Sequence, residues 1–424
     1  MTNIVIAFLL MMPLSGYAQR TIIHCGHLID GKNRGAQSQM SLIVEGGLIV
    51  AVEKGFAATN TGDDLIDLSR KTVMPGLIDL HVHLESETSK DQALQRFTLN
   101  EADIAFRSAR FARKTLMAGF TTVRDVGGSG VNIALRNAIN QGLIEGPRIF
   151  TSGISIATTG GHGDPSNGYR RTLSGDPGPK EGVINSPEEA RQAVRQRYKD
   201  GSDLIKITAT GGVLSLAKDG SGPQFTDAEL KAIIETARDY GMHVAAHAHG
   251  AEGMKRAVLA GVLTIEHGTK MTEEVMDLMK QKGTYYVPTI TAGKFVAQQA
   301  KVPDYYHPAV VPKAQEIGPM IQETFRKAYK RGVKIAFGTD AGVFPHGENA
   351  NEFGYMVDAG IPPMEAILSA TVINAAILGI ADKAGSLEPG KFADVIATDQ
   401  NPLDDIHTLE AVSFVMKQGI VYKR

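Results

Sequence analysis

The chain of 424 residues contains no tryptophan and one cysteine, Cys25. A lone cysteine cannot form an intrachain disulfide, and it excludes a zinc site built from thiolates. Aromatic residues make up only 6%, which leaves little for aromatic stacking platforms. Neither sign of charge dominates: Lys+Arg 44 stand against Asp+Glu 46, a net charge of −2. That balance gives no broad electrostatic reason to bind nucleic acid or an anionic membrane. Long apolar runs are missing too. The one from Ile4 to Leu14 is too short to span a bilayer comfortably. Gly16 and Ala18 after it suit a signal-peptidase cut after Ala18, although no Lys or Arg precedes the run. Residues 1–18 therefore read as a signal peptide, with a buried first strand as the alternative. The expectation is an exported protein, periplasmic or secreted, with no membrane attachment after cleavage.

Hydrophobic residues reach 43% and glycine 46 residues. This is the mix of a globular chain with a large core, one big domain plus a smaller one, and many tight turns. Short β-branched runs cluster at both ends: Thr21–Ile23, Ser41–Val44 and Gly47–Ala51, then Ala393–Ala397, Val412–Met416 and Ile420–Tyr422. They predict one small β-sandwich domain built from residues 19–74 and 384–424.

The middle, residues 75–383, alternates between strand-like and helix-like segments. Candidate strands are Val73–Leu80, Phe120–Asp125, Arg148–Ser155, Asp203–Thr208, Met242–His247, Leu263–His267, Thr284–Ile290 and Val333–Thr339. Helix-like stretches such as Pro187–Lys199, Thr226–Tyr240, Ala251–Ala260 and Thr272–Lys282 lie between them, and Thr226 with Glu229 forms a capping-box signature. Alternation of this kind implies parallel pairing, and eight units over roughly 300 residues predict an α/β fold, a (β/α)8 TIM barrel. A doubly wound open sheet is the fallback. No Gly-x-Gly-x-x-Gly turn follows the first strand, which counts against a dinucleotide-binding version.

Barrel enzymes place their chemistry at the C-terminal ends of the strands. There the sequence puts His81 and His83, Lys206, His247 and His249, His267, and Asp340. A single histidine at a strand end is more often a packed core or surface residue. The ordered set on strands one, four, five, six and eight is what carries weight. Side chains two apart on a strand share a face, so both imidazoles of a His-x-His pair can meet one metal. Imidazole nitrogen and carboxylate oxygen suit Zn²⁺ and similar divalent ions. An ammonium cannot bind a cation, but burial favours the neutral amine, which can add CO₂ to give a bridging carbamate. Two cations roughly 3.5–4 Å apart then share a hydroxide that is nucleophilic at neutral pH.

These residues, with Pro75-Gly76-Leu77-Ile78-Asp79-Leu80-His81-Val82-His83 and Gly338-Thr339-Asp340 around them, resemble the metal-dependent amidohydrolases. Leu28-Ile29-Asp30-Gly31 and Gly385-Ser386-Leu387-Glu388-Pro389-Gly390-Lys391-Phe392-Ala393-Asp394 match the small β-domain of that family, so the likeness covers nearly all of the chain. It is nearest to exported prolidase-like carboxypeptidases that resemble imidazolonepropionase and include ochratoxin-hydrolysing enzymes. The resemblance implies His81, His83 and Asp340 on one metal, His247 and His267 on a second, and carboxylated Lys206 between them. It also implies a homo-oligomer. On this reading the hydroxide attacks the substrate carbonyl, and Asp340 passes its proton to the leaving amine. His249 either supports the site or polarises the carbonyl.

The expected substrate is a small-molecule amide, a dipeptide or an N-acyl amino acid with a free carboxylate, and no nucleic acid. The glycine-rich stretch from Ile154 to Val183 offers Tyr169 and Arg170 for that carboxylate and His162 as a pocket residue. The arginines there equally fit a solvated surface loop. Val213 offers backbone contacts and His346 a place on the rim. Arg124 with Asp125 reads as a structural ion pair. Hydrolysis of a cyclic amide, lactone or phosphotriester by the same centre is the alternative function. A non-catalytic relative is disfavoured, because such relatives lose ligands and this chain keeps all six.

Overall fold

The computed structural model describes residues 20–216 and 220–424. The signal segment expected over residues 1–18 lies outside them. Among the described residues no helix is long and apolar enough to cross a membrane.

Four strands open the chain: β1 (Thr21–Leu28), β2 (Gln37–Glu45), β3 (Leu48–Lys54) and β4 (Asp64–Pro75). Then come β5 (Leu77–Val82), β6 (Phe120–Asp125) and β7 (Arg148–Thr151), and the two-residue strands β8 (Ala157–Thr158) and β9 (Val183–Ile184). They are followed by β10 (Ile205–Thr208), β11 (Val244–Ala248), β12 (Thr264–His267), β13 (Tyr285–Val287) and β14 (Lys334–Ile335). The chain closes with β15 (Val395–Thr398), β16 (Phe414–Lys417) and β17 (Ile420–Lys423).

Strands from the two ends form one mixed sheet of seven in the order β17-β16-β15-β4-β1-β2-β3. In it β1 and β4 run parallel, whereas β15 pairs antiparallel with β4. Ile23, Leu42, Val73, Val395 and Phe414 fill its core together with Cys25, whose thiol burial pushes up to about 12. That cysteine is a packed, unreactive side chain.

The middle of the chain forms two parallel sheets, β5-β6-β7 and β10-β11-β12-β13-β14. Parallel bridges tie them at both edges, Val82 to Ala341 and Ile156 to Ile207. Every residue of β5, β6, β10, β11 and β12 is buried, as expected when helices cover a parallel sheet. The helices have sequence-encoded ends. Thr226 accepts a hydrogen bond from Glu229 N (3.3 Å), and Glu229 accepts one from Thr226 N (2.8 Å). Helices Pro187–Asp200, Ala251–Ala260 and Glu273–Lys282 each stop at a left-handed glycine.

Candidate metal centre

The C-terminal ends of these strands meet over one cavity of about 330 Å³. His81, His83, Lys206, His247, His249, His267 and Asp340 all line it. Parallel register sets the depth of each. Thr208, two residues beyond Lys206, lies beside His247, and His267 lies beside Ala248. At the other seam Asp340 N donates to His81 O at 2.7 Å.

Three of the strand ends leave the sheet through residues with positive φ: His267 (69°), Thr289 (52°) and Asp340 (63°). For residues with a Cβ this conformation costs about 1–3 kcal/mol each. The surroundings hold it in place. Tyr286 donates its hydroxyl to His267 O at 2.8 Å, and His267 Nδ1 lies 2.8 Å from Thr289 Oγ1. Gly338 is needed where the segment after β14 passes β13 and β5, because a Cβ there would stand 2.4 Å from Val287 and 3.1 Å from the His81 side chain.

Each imidazole is oriented from behind. His81 Nδ1 meets Glu266 Oε2 at 2.8 Å, and His83 Nδ1 meets Gly127 O at 2.8 Å. His247 Nε2 lies 3.3 Å from Gly211 O, and His249 Nδ1 lies 2.9 Å from Thr269 Oγ1. Carbonyls and carboxylates only accept, so the proton of His81 and His83 is assigned to Nδ1 and that of His247 to Nε2. The remaining lone pairs of His81 and His83 then lie on Nε2, 3.4 Å and 3.3 Å from the same oxygen, Asp340 Oδ1.

Two lone pairs facing a buried carboxylate oxygen repel unless positive charge lies between them. Asp340 Oδ1 is buried without a hydrogen-bond partner. Burial disfavours a charged His83, yet its contact with Asp340 outweighs burial and raises its pKa. The spot thus calls for a cation. His81, His267 and Asp340 offer ligand atoms within 4.8 Å of one another, a group that could hold a metal ion. His247 and His267 are driven well below the usual histidine range, chiefly by burial, so both stay neutral and ready to donate lone pairs. Burial likewise brings Lys206 down to about 8.

A second layer escapes sequence reasoning. Glu266, fully buried, accepts from His81 through one oxygen and from Arg124 Nη2 (2.8 Å) and Thr264 through the other. Burial would raise the Glu266 carboxyl, but Arg124, His81 and Lys206 together outweigh it and hold the group down at about 2. Arg124 therefore pairs with Glu266 across the sheet. Asp125 instead accepts from Leu84 N and Asn132 Nδ2. Asp79 accepts from His81 N, Thr339 N, Thr339 Oγ1 and Asn349 Nδ2, which staples the His-x-His strand to the Asp340 turn. The available signal for both acids was a charged residue inside a strand that is otherwise buried.

The long segment after β7 covers the cavity with Ile154, Ser155, His162, Gly163, Pro165 and Glu181. His162 stacks on His247 at 4.3 Å, and its Nδ1 is buried without a partner. Gly212 makes room for that ring, since a Cβ there would come within 2.3 Å of it. Val213 lines the cavity wall. Tyr169 instead lines an adjoining cavity of about 380 Å³. Arg170 is exposed and precedes the short helix Arg171–Ser174 without lining either cavity. His346 is buried behind the site, with Nε2 2.8 Å from Ser86 O and its ring stacked on Phe111.

Residues 72–423 match the amidohydrolase family. Ochratoxinase of Aspergillus niger is 32% identical, covering 98% of this chain and 89% of its own. Its crystal structure superposes with a TM-score of 0.82 over 96% of this chain and 96% of that one. A Xaa-Pro dipeptidase with bound methionine in its active site is 54% identical, with a TM-score of 0.93 over 96% of this chain and 100% of that one. A prolidase complexed with N-methylphosphonate-L-proline is 31% identical, with a TM-score of 0.86 over 96% and 100%.

Proposed function

The chain belongs to the amidohydrolase family, and from that premise we propose that it cleaves the amide bond of dipeptides or N-acyl amino acids bearing a free carboxylate on the leaving side. That it is a hydrolase of amide or peptide bonds follows from the family and its relatives. The two parallel sheets tied at both edges are read as one (β/α)8 barrel, with the terminal sheet as its small β-domain. The observation that carries the reading is the buried, unpartnered Asp340 Oδ1 facing the lone pairs of His81 and His83.

His81, His83 and Asp340 would hold one divalent ion and His247 and His267 another, with Lys206 as a carbamate between them. Such ions, Zn²⁺ by the donor set, supply a water nucleophilic at neutral pH and polarise the substrate carbonyl. Lys206 suits carbamate formation. It is buried and its pKa falls to about 8. Asp340 serves as the proton carrier, taking the proton of the attacking water and handing it to the leaving amine. Its strained φ of 63° aims the carboxylate at the substrate position. His249 and His162 face the same space from either side of His247 and are placed to donate to the carbonyl oxygen.

A panel of N-acyl amino acids and dipeptides, varied at the C-terminal residue and set beside lactones and phosphotriesters, tests this. Amide hydrolysis that is lost on chelation is expected. Turnover of lactones or phosphotriesters alone would reject it.

A further inference from the structure

The proposed substrate carries a carboxylate, and that charge must meet a cation or donors inside a cavity whose wall is largely apolar. Val213, Val296, Ile317, Ile321 and Val343 supply much of that wall. Among the described residues lining the cavity, the lysine and arginine side chains are Lys206 and Arg96. Lys206 sits among the proposed metal ligands, which leaves Arg96.

Arg96 occupies a distinctive place. With His162 and Leu214 it lines both the catalytic cavity and the adjoining 380 Å³ cavity, so it stands at the neck between them. It comes from the helix Gln92–Thr98, thirteen residues beyond His83. Its Nη1 donates to Pro165 O at 2.8 Å, and its guanidinium lies 5.0 Å from the centre of the Tyr169 ring. Tyr169 in turn packs edge-on against Phe97 at 5.2 Å. These contacts fix the side chain yet use one of its five N–H donors. Among the described residues no carboxylate lies within ion-pair distance of it. Arg96 is solvent-exposed like Arg170, but it lines the cavity neck with N–H donors to spare, which suits bidentate capture of a carboxylate.

We propose that Arg96 reads the free carboxylate of the leaving amino acid, in the place the sequence assigned to Arg170. This rests on the amide-hydrolase reading above. The leaving residue then points through the neck toward the chamber of Tyr169, Tyr305 and Tyr306, and the apolar wall receives the acyl group. The favoured substrates are therefore amino acids N-acylated with an apolar group.

Steady-state kinetics on the metal-loaded enzyme tests this, using N-acyl amino acids and the same compounds as C-terminal carboxamides. Arg96→Gln is expected to lose roughly 10- to 100-fold in kcat/KM on the carboxylate, mostly through KM, the span of a charge-assisted hydrogen bond. Its loss on the carboxamide is expected to stay within about threefold, which also shows that the variant is folded. Arg96→Lys should fall between, since it keeps the charge without the fork. Equal losses on both substrates, or loss in Arg170→Gln with Arg96→Gln unaffected, would overturn the assignment while leaving amide hydrolysis intact. A metal-loaded wild type that cleaves neither compound would take down both readings.

Discussion

Glu266 presents one oxygen to His81 Nδ1–H and the other to Arg124 and Thr264, and all four side chains are buried. Glu266→Gln keeps the shape and removes one acceptor. In either orientation the neutral amide deprives the buried Arg124 guanidinium of its counter-charge, at a cost of about 3–5 kcal/mol, and the NH₂ must face Arg124 or His81. If it faces His81, the imidazole loses its orienting acceptor, and loss of such support lowers metal affinity roughly 10- to 100-fold. Both effects can be read on purified protein, by thermal melting of the metal-free form and by Zn²⁺ titration against a competing chromophoric chelator. The double variant Arg124→Met with Glu266→Gln separates them. With the cation gone, the amide oxygen can serve His81 and the NH₂ can donate to Thr264 Oγ1. Stability and metal affinity should then recover in part, as a positive coupling in the cycle. Wild-type melting and wild-type Zn²⁺ affinity in Glu266→Gln would refute the reasoning.

Other outcomes follow from the same geometry. Asp340→Asn should abolish turnover of amide substrates while the protein still folds, and wild-type-like kcat would exclude the proton-carrier role. CO₂ adds only to a neutral amine, and Lys206 has a pKa of about 8. Reactivation of chelator-stripped enzyme by metal and bicarbonate should therefore quicken about tenfold per pH unit up to about pH 8 and then level off; a rate independent of pH would contradict this. Burial lowers His81, His162 and His346 to about 4, and His243 and His249 to about 3. These bases fold neutral. Their contribution is complete above the unfolded value of 6.5 and is lost as pH falls below it toward the folded values. The metal-free protein should thus lose several kcal/mol between pH 7.5 and 5, about 1.4 kcal/mol per histidine per unit; melting curves unchanged over that range would contradict it.

Much of the cavity lining was legible because its histidines and Asp340 lie at strand ends beside short motifs. His81-Val82-His83, His247-Ala248-His249 and Gly338-Thr339-Asp340 mark where buried strands stop, and the cavity gathers all of them. What the motifs could not announce were partners defined only by three-dimensional crossing. Glu266 meets Arg124 from 142 positions away, and Arg96 reaches the neck from a short, mostly exposed helix. The strand β4 is interrupted by polar residues three apart, Asp64, Asp67 and Arg70, rather than alternating, and reads as a strand only from Val73. The helix Val311–Arg331 is masked by Pro312, Gly318 and Pro319. Gly318 has a packing reason, since a Cβ there would stand 2.2 Å from Ala297 on the helix Ile290–Gln299, whose residues wall the cavity. Arg170 looked suited to a carboxylate because it follows Tyr169 in a glycine-rich segment, and only folding shows which arginine faces the cavity.

The central claim is that His81, His83, Lys206, His247, His267 and Asp340 together hold two cations. Elemental analysis of the purified active enzyme, run beside Lys206→Ala, tests it most directly. The account predicts two divalent ions per chain in the wild type, a lower content in the variant, and activity that vanishes with the metal. A metal-free wild type that still hydrolyses amides in the presence of chelator would contradict it.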